Sequence, residues 1–185
     1  MAAKKLSPMM QQYMDIKEAH QDCILFFRLG DFYEMFFEDA KLVSRELELT
    51  LTGKNCGLEE RAPMCGVPFH SADTYIARLI EKGHKVAICE QTEDPAAAKG
   101  LVKREVIRIV TPGTVLSSNM LKEKENNYIA SIYAGEDSIG LAYCDVSTGE
   151  MNLTTIRGTN QRENLVNEIV KINAREVLVS RETDD

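Results

Sequence analysis

The chain has 185 residues, of which 44% are apolar, enough for one large domain or a domain and a half around a real core. No run approaches the roughly 18 uninterrupted apolar residues of a membrane span, and the N-terminus lacks the apolar segment of a secretory signal, so we expect a cytoplasmic protein. The net charge of −7 argues against binding to nucleic acid by charge alone: residues 1–125 carry 17 basic and 19 acidic side chains, and residues 126–185 carry 5 and 10.

The first predicted elements are a helix and a strand. Ser7 is a favourable N-cap and Pro8 a favourable first helical residue, and apolar side chains then recur at helical spacing. The aromatic-rich run at 23–29 predicts a buried strand that ends in a turn at Gly30–Asp31. Phe32 is therefore expected just beyond the end of that strand.

Helices and strands alternate through the next part of the chain. Apolar residues at Phe36, Ala40, Val43 and Leu47 mark one face of a helix, and alternating leucines after it indicate a half-exposed strand. The predicted order is a helix through Phe36 and Leu47, a strand at 47–52, a loop at 53–68, a helix capped by Ser71 and ended by Gly83, a strand at 84–91, a connection at 94–100, a strand at 104–110 and a turn at 111–114.

The last third of the chain has the pattern of a separate domain. A mostly polar stretch at 116–126 predicts a linker, and three β-runs joined by short turns then predict an antiparallel meander. The predicted elements are strands at 128–134, 138–146 and 150–156, a helix at Gln161–Ile172 and a strand at 176–180. This β-β-β-α-β order resembles the first half of a ribonuclease H-like fold, so we expect a truncated domain.

Five cysteines and three histidines give no indication of a metal site. The cysteines are odd in number and never spaced C-x-x-C, so we interpret them as buried free thiols. The histidines add no metal-ligand spacing with them or with carboxylates. Cys65 lies near His70, but no third group or oxyanion donor is evident that would make it a nucleophile.

Several segments that follow one another in a fixed order identify a family. They are "GDFYEMF", "APMCGVPFHSADTYIARLIEKGHKVAICEQ", "DPAAAKG" and "VKREVIRIVTPGT". Together they resemble the bacterial MutS family of DNA mismatch-recognition proteins, most strongly over residues 7–115. The resemblance implies an α/β, mixed-sheet mismatch-binding domain with flanking helices at 1–115, a linker at 116–126, and the N-terminal half of a ribonuclease H-like connector domain at 127–185.

The resemblance also implies a function and partners. The expected function is to bind mispaired bases or small loops in double-stranded DNA and so to initiate mismatch repair, as a binding module and not an enzyme. ATP and magnesium are implied only for full-length members, because no G-x-x-x-x-G-K-[ST] loop occurs in this chain. A homodimer, a MutL-like repair partner and a bacterial, nucleoid-associated location are implied for the full-length protein, with no membrane contact.

Two residues match the family's F-x-E motif. Phe32 would wedge into the minor groove and stack on one base of the mispair. Glu34 would hydrogen-bond to a ring nitrogen of that base, which requires a protonated carboxyl group, and the ionised acid would repel an intact duplex. Lys54 and His70 are candidates for contacts to the DNA backbone, which position a protein without reading sequence.

Structural and catalytic alternatives compete with these roles. Without the family, a phenylalanine in this segment is expected in the core, and Glu34 would be a solvated or helix-start acid. Asp145 is a candidate metal ligand of a metal-dependent nucleic-acid hydrolase built on the ribonuclease H-like half. Its position before Ser147 and Gly149 favours a turn-stabilising role instead.

Overall fold

The computed structural model describes residues 6–93, 100–116, 121 and 125–180. The chain divides between Val110 and Thr111 into two compact units, each of mixed α and β structure. Most of the predicted linker at 116–126, and the connection at 94–100 except for its last residue, lie outside the described residues. Among the described residues, no helix is both long and apolar enough to cross a membrane.

The first unit contains a six-stranded sheet flanked by helices. Its helices are α1 (Pro8–Glu18), α2 (Phe37–Leu47) and α3 (Ala72–Glu81), and a short 3₁₀ turn spans Phe69–Ser71. Its strands are β1 (Ile24–Leu29), β2 (Phe32–Phe36), β3 (Thr52–Lys54), β4 (Ala62–Pro68), β5 (Val86–Gln91) and β6 (Arg104–Val110).

The sheet is mixed, with strand order β3-β4-β2-β1-β5-β6. Strands β1 and β5 are parallel, and the other neighbours are antiparallel. The parallel pair is joined by a long crossover that contains β2, α2, β3, β4 and α3, as parallel pairing requires. The mixed α/β class predicted for this part of the chain is therefore confirmed.

Helices cover both faces of this sheet. On one face Tyr13 of α1 packs edge-on against Phe27 and Phe36, with ring centroids 5.4 and 4.9 Å apart. On the other face the thiol of Cys65 contacts the carbonyl of Ala40 in α2, at 3.5 Å. Burying a large apolar side chain contributes about 1.5–3 kcal/mol, so these two layers carry much of the stability.

The local signals at helix ends are mostly confirmed. The Oγ of Ser7 accepts a hydrogen bond from the amide of Met10 at 3.3 Å, and Pro8 begins α1. Ser71 precedes α3, but its hydroxyl donates to the carbonyl of Pro68 at 3.2 Å and makes no cap. Gly83 ends that helix with φ +86°.

The predicted strand at 47–52 is wrong. Leu47 belongs to the buried stripe of α2, and Glu48 ends that helix in the left-handed conformation with φ +57°. Residues 49–51 form no strand, and the strand begins only at Thr52. The alternation of leucines was misleading because its first member completes a helical repeat.

The predicted loop at 53–68 is confirmed only at residues 55–61, which form no helix or strand. It contains the end of β3 and all of β4, which pairs with β2 on one side and β3 on the other. Its glycines and prolines favour loops locally, but pairing on both sides overrides that preference. A further strand, β2, was not predicted, and α2 begins one residue after Phe36.

The second unit follows the predicted β-β-β-α-β order. Its elements are β7 (Tyr128–Ala134), β8 (Ser138–Asp145), β9 (Glu150–Arg157), α4 (Gln161–Ile172) and β10 (Glu176–Leu178). The sheet order is β10-β7-β8-β9, with β10 parallel to β7 and an antiparallel meander elsewhere. The helix bounds are as predicted, and β10 ends two residues earlier than predicted. The likeness to a ribonuclease H-like fold stays an expectation.

One face of this second sheet is better covered than the other. Helix α4 packs on β8 and β9, and Ala130, Ile139 and Leu141 are buried. The alternate residues of the same strands are more open, and Tyr133 and Leu153 are 75% and 76% exposed.

The turn at 111–114 anchors the start of this unit. The amide of Thr114 donates to the carbonyl of Thr111 at 3.1 Å, which confirms the predicted turn. The carboxylate of Glu176 in β10 accepts from the hydroxyl of Thr111 at 2.5 Å and from the amide of Gly113 at 3.0 Å. A Cβ on Gly113 would lie 2.9 Å from the Cβ of Ile129 and 3.0 Å from the Cβ of Glu176, so a larger residue would force the backbone to shift.

Candidate nucleic-acid interface

A two-residue hairpin turn presents Phe32 at the surface. Leu29 of β1 pairs with Phe32 of β2, and Gly30 between them has φ +59°, a conformation that glycine adopts without strain. Because β2 is extended, its side chains alternate between the two faces of the sheet. Phe32 is 46% exposed, whereas Tyr33 on the opposite face is only 7% exposed.

Glu34 lies two residues along the same face and is paired with Lys54. The Nζ of Lys54 is 2.5 Å from Oε2 of Glu34, and 32% and 16% of the two side chains are exposed. Lys54 had been placed in a loop by the sequence pattern, but it is the last residue of β3. The sheet thus brings together two residues that the sequence analysis had assigned to separate roles.

Gly66, on the strand between these two, leaves room for the Glu34 side chain. Strand β4 lies between β2 and β3, and it places Gly66 opposite Glu34 and Ala62 opposite Lys54. A Cβ on Gly66 would lie 3.2 Å from the carbonyl oxygen of Tyr33 and 3.5 Å from Cγ of Glu34. A larger residue at this position would crowd the base of the Glu34 side chain.

The opposite face of the hairpin is held by Arg28, which the sequence analysis missed. Its Nε donates to the carbonyl of Gly30 at 2.5 Å, and its guanidinium carbon lies 3.8 Å from the ring centre of Phe69. Its NH1 donates to Oε1 of Glu90 at 3.3 Å, and the hydroxyl of Tyr33 also donates to that oxygen. A lone cation within an aromatic strand was the sequence signal for such a role.

These contacts fix the protonation state of Tyr33. Burial, followed by the hydrogen bond that Tyr33 donates to Glu90, raises the pKa of Tyr33 to about 12. The phenol therefore remains a neutral donor at neutral pH. The hairpin is consequently joined to β5, which carries Glu90, by both Tyr33 and Arg28.

His70 and Phe69 lie on the 3₁₀ turn beside the hairpin. The amide of Phe69 donates to the carbonyl of Asp31 at 2.9 Å, which ties this turn to the residue before Phe32. Phe69 is 42% exposed, and His70 is exposed with its ring 5.9 Å from that of Phe69 in an edge-on contact. The sequence predicted a DNA-backbone contact for His70 but no role for Phe69, although both lie in the "GVPFH" segment.

Arg104 stabilises the β1–β2 hairpin through contacts with β1. It is buried, its Nε donates to the carbonyl of Arg28 at 2.7 Å, and its guanidinium lies 5.1 Å from the ring centre of Phe27. Its NH1 donates to the side chain of Gln12 at 3.0 Å. Burial lowers the pKa of Arg104, and these donated hydrogen bonds satisfy the buried guanidinium.

Asp145 stabilises a turn, which is the role that the sequence favoured over metal binding. It is 1% exposed, and its carboxylate accepts hydrogen bonds from the amides of Asn127 and Ser147, both at 2.9 Å, and from the hydroxyl of Ser147 at 2.6 Å. Burial alone would raise the pKa of Asp145, but hydrogen bonds from Ser147 and Asn127 outweigh it and hold the pKa below its usual range. Over the described parts of the chain, no group of three or more His, Cys, Asp or Glu could hold a metal ion. The hydrolase alternative therefore gains no support.

The cysteines are free, as predicted, and four of the five are buried. Burial raises the pKa of Cys65 to about 11 and that of Cys89 to about 12, so both are neutral thiols at neutral pH. Cys65 contacts a backbone carbonyl of α2 and not an imidazole. It has no feature of an activated nucleophile.

Comparison with known proteins places this chain in a family. The family described as MutS domain I matches residues 7–119, and the one described as MutS domain II matches residues 127–185. The DNA mismatch repair protein MutS of Acetivibrio thermocellus is 67% identical over 177 residues, which cover 96% of this chain and 20% of that protein.

Two further relatives carry the same description. DNA mismatch repair protein MutS of Ruminiclostridium cellulolyticum is 63% identical, with 96% of this chain and 20% of that protein covered. The protein of that name from Clostridioides difficile is 59% identical, with 95% and 18% covered. The chain therefore spans about a fifth of the length of the curated relatives it matches.

Proposed function

Because the chain belongs to the MutS family, whose domains I and II it matches, we propose that it recognises mispaired or unpaired bases in duplex DNA as the first step of mismatch repair. The proposal concerns binding and not catalysis. The observation that carries it is the exposed ring of Phe32 at the tip of a hairpin held by Arg28 and Tyr33.

Phe32 acts as a wedge that tests how easily two neighbouring base pairs separate. A mispaired step is stacked and paired less well than its neighbours, so inserting a ring from the minor groove and kinking the duplex costs less there. Stacking of an aromatic ring on a base is worth about 1–3 kcal/mol whatever the base is. Deformability, and not sequence, then decides where the chain binds.

Glu34 acts beside the wedge. It stands two residues from Phe32 on the same face, so its carboxyl group reaches the base on which the ring stacks, and in protonated form it donates to a ring nitrogen. In ionised form it repels the phosphates of a duplex that resists opening. Lys54 and His70 contact the DNA backbone and set the register of the complex.

Other components of repair belong to longer members of the family. We assign ATP and magnesium, a homodimer and a MutL-like partner to parts of those proteins that this chain does not match. The chain contains no G-x-x-x-x-G-K-[ST] loop of the kind that cradles the phosphates of ATP. The expected location is the bacterial cytoplasm, at the nucleoid.

Replacement of Phe32 by alanine tests the proposal. We expect the wild-type chain to prefer a short duplex with one G·T pair or one unpaired thymine over a matched duplex at low salt. Loss of one base stack should weaken mismatch binding by about tenfold and leave matched binding almost unchanged. Fluorescence anisotropy of labelled duplexes measures both affinities.

The control is Tyr133→Ala, which removes another exposed ring from the second unit. This variant should bind both duplexes as the wild-type chain does. The proposal is wrong if the wild-type chain shows no preference for the mismatch, or if Phe32→Ala keeps the preference while retaining the native circular dichroism spectrum.

A further inference from the structure

Lys54 is held against Glu34 in the chain without DNA. Its ammonium lies 2.5 Å from the Glu34 carboxylate, and it also lies 5.8 Å from the ring centre of Phe36. Only 16% of the Glu34 side chain remains exposed. The acid beside Phe32 is therefore presented to an approaching duplex as one half of a neutral pair, and not as a free negative charge.

We infer that Lys54 is the counter-ion that sets how strongly Glu34 disfavours a matched duplex. This inference rests on the proposed function and concerns the specificity of the same site. It assigns to Lys54 a role in discrimination, which an ordinary phosphate contact lacks because phosphate contacts are blind to pairing.

The ion pair between Lys54 and Glu34 behaves differently in the complexes with matched and mismatched DNA. On a matched duplex no base is available to Glu34, so the pair stays closed, Lys54 neutralises part of the repulsion between the carboxylate and the phosphates, and Lys54 makes no phosphate contact. On a mismatched duplex Glu34 takes up a proton from solvent and donates it in a hydrogen bond to the displaced base, and Lys54 is released to a nearby phosphate. The exchange replaces one ion pair by another charge-assisted contact, so opening the pair costs little.

The inference gives opposite predictions for two backgrounds. With Glu34 present, Lys54→Met unmasks the carboxylate, so matched binding should weaken by about fivefold while mismatch binding changes much less. In the Glu34→Gln background Lys54 has no partner acid and contacts phosphate in both complexes. There, Lys54→Met should weaken both complexes by the same factor.

A double-mutant cycle measured on both duplexes tests this difference. The wild-type chain, Lys54→Met, Glu34→Gln and the double variant are titrated against matched and G·T duplexes at low salt, and the salt series is repeated for each. For Lys54→Met compared with the wild-type chain, the slope of log K against log salt should become shallower by about 0.9 on the G·T duplex, where one phosphate contact is lost. On the matched duplex the fivefold loss should shrink as salt screens the unmasked carboxylate. Lys54→Gln is measured in parallel, in case the methionine variant fails to fold.

The matched control is Lys82→Met. Lys82 also pairs with a glutamate, Glu46, at 2.7 Å, but that pair links the end of α3 to α2. Its removal should leave both affinities and both salt slopes as in the wild-type chain.

The outcomes separate this inference from the proposed function. If Phe32→Ala abolishes the mismatch preference but Lys54→Met weakens both complexes equally in both backgrounds, only the role of Lys54 is overturned. If the wild-type chain has no mismatch preference, the proposed function fails and the inference fails with it. The inference is supported if Lys54→Met prefers the mismatched duplex over the matched one more strongly than the wild-type chain does. This gain must be absent in the Glu34→Gln background.

Discussion

The acidic side chains of this chain have different roles because their hydrogen-bond and ion-pair partners differ. Asp145 is buried and saturated by hydrogen bonds, Glu90 accepts from a phenol and a guanidinium, and Glu34 has a lysine partner on a half-buried surface. A saturated acid is structural, since it has no lone pair directed at a ligand. An acid held by one exchangeable partner is free to change partners.

A stability prediction follows for Asp145. Asp145→Ala leaves the partly buried amide of Asn127 and the amide of Ser147 without their acceptor and should reduce the free energy of unfolding of the second unit by about 1–2 kcal/mol. Because the pKa of Asp145 is lowered in the folded state, its contribution is fully present above about pH 4, the usual pKa of an aspartate in an unfolded chain. It is lost as the pH falls through the lower folded-state pKa.

Urea titrations followed by amide NMR signals of β8 and β9 measure this effect at pH 7 and at acidic pH. Asp137→Ala is the control. Asp137 is exposed in the turn between β7 and β8, so its replacement should lower the free energy of unfolding by less than about 0.5 kcal/mol. Equal losses for the two variants would contradict the assignment of Asp145 as a turn-stabilising residue.

At the scale of elements, the β1–β2 hairpin combines an exposed tip with a supported base. Arg28 joins the turn at Gly30, the 3₁₀ turn at Phe69 and the strand that carries Glu90. A wedge has to resist displacement when it enters a base stack, because a yielding ring would not report the stiffness of the step. We therefore expect Arg28 to act on DNA binding by positioning Phe32.

Removal of this support should affect recognition only through Phe32. Arg28→Met should lower the free energy of unfolding of the first unit by about 1–3 kcal/mol, because Glu90 and the carbonyl of Gly30 lose a charged donor. It should also weaken mismatch binding severalfold, but should cause no further loss in a Phe32→Ala background. Anisotropy titrations of the single and double variants measure this coupling.

Arg45→Met serves as the matched control for Arg28→Met. Arg45 lies on the outer surface of α2 with 74% of its side chain exposed, so its loss should change stability and binding very little. If Arg28→Met weakens binding equally with and without the Phe32 ring, Arg28 contacts DNA itself and does not act through Phe32.

At the scale of the whole molecule, charge and size limit affinity. The chain carries a net charge of −7 and spans about a fifth of the curated relatives it matches. Its 29 acidic side chains outnumber its 22 basic ones, so repulsion of the phosphates offsets part of the attraction that supplies much of the affinity in protein–DNA complexes. Recognition and strong attachment are expected to be properties of different parts of the longer proteins.

The isolated chain should accordingly bind weakly. We expect a mismatch Kd above about 1 μM at low salt and a steep further loss at physiological salt, because each released counterion adds to the salt dependence. Titration of the monomer over a salt series, with analytical ultracentrifugation as the check on oligomeric state, measures this. Selective nanomolar binding by the monomer at physiological salt would contradict the prediction.

The sequence by itself determined the elements whose causes are local. Ser7 and Pro8 start a helix through contacts within one turn, apolar spacing defines the buried stripe of α2, and the glycine at the β1–β2 turn adopts its conformation without tertiary help. The bounds of α4 follow for the same reason. The proposal that Phe32 and Glu34 are site residues also came from the sequence alone, through its likeness to a family.

Only the tertiary structure decided how the candidate site is assembled. Strand β4 forms from a segment rich in glycine and proline because strands on both sides supply its hydrogen bonds. Glu34 meets Lys54 across that strand, and Arg28 meets Phe69 and Glu90 from segments far along the chain. No local pattern encodes such partners, because the sheet must first bring the segments together; pairing between distant residues decides which charges near Phe32 are masked.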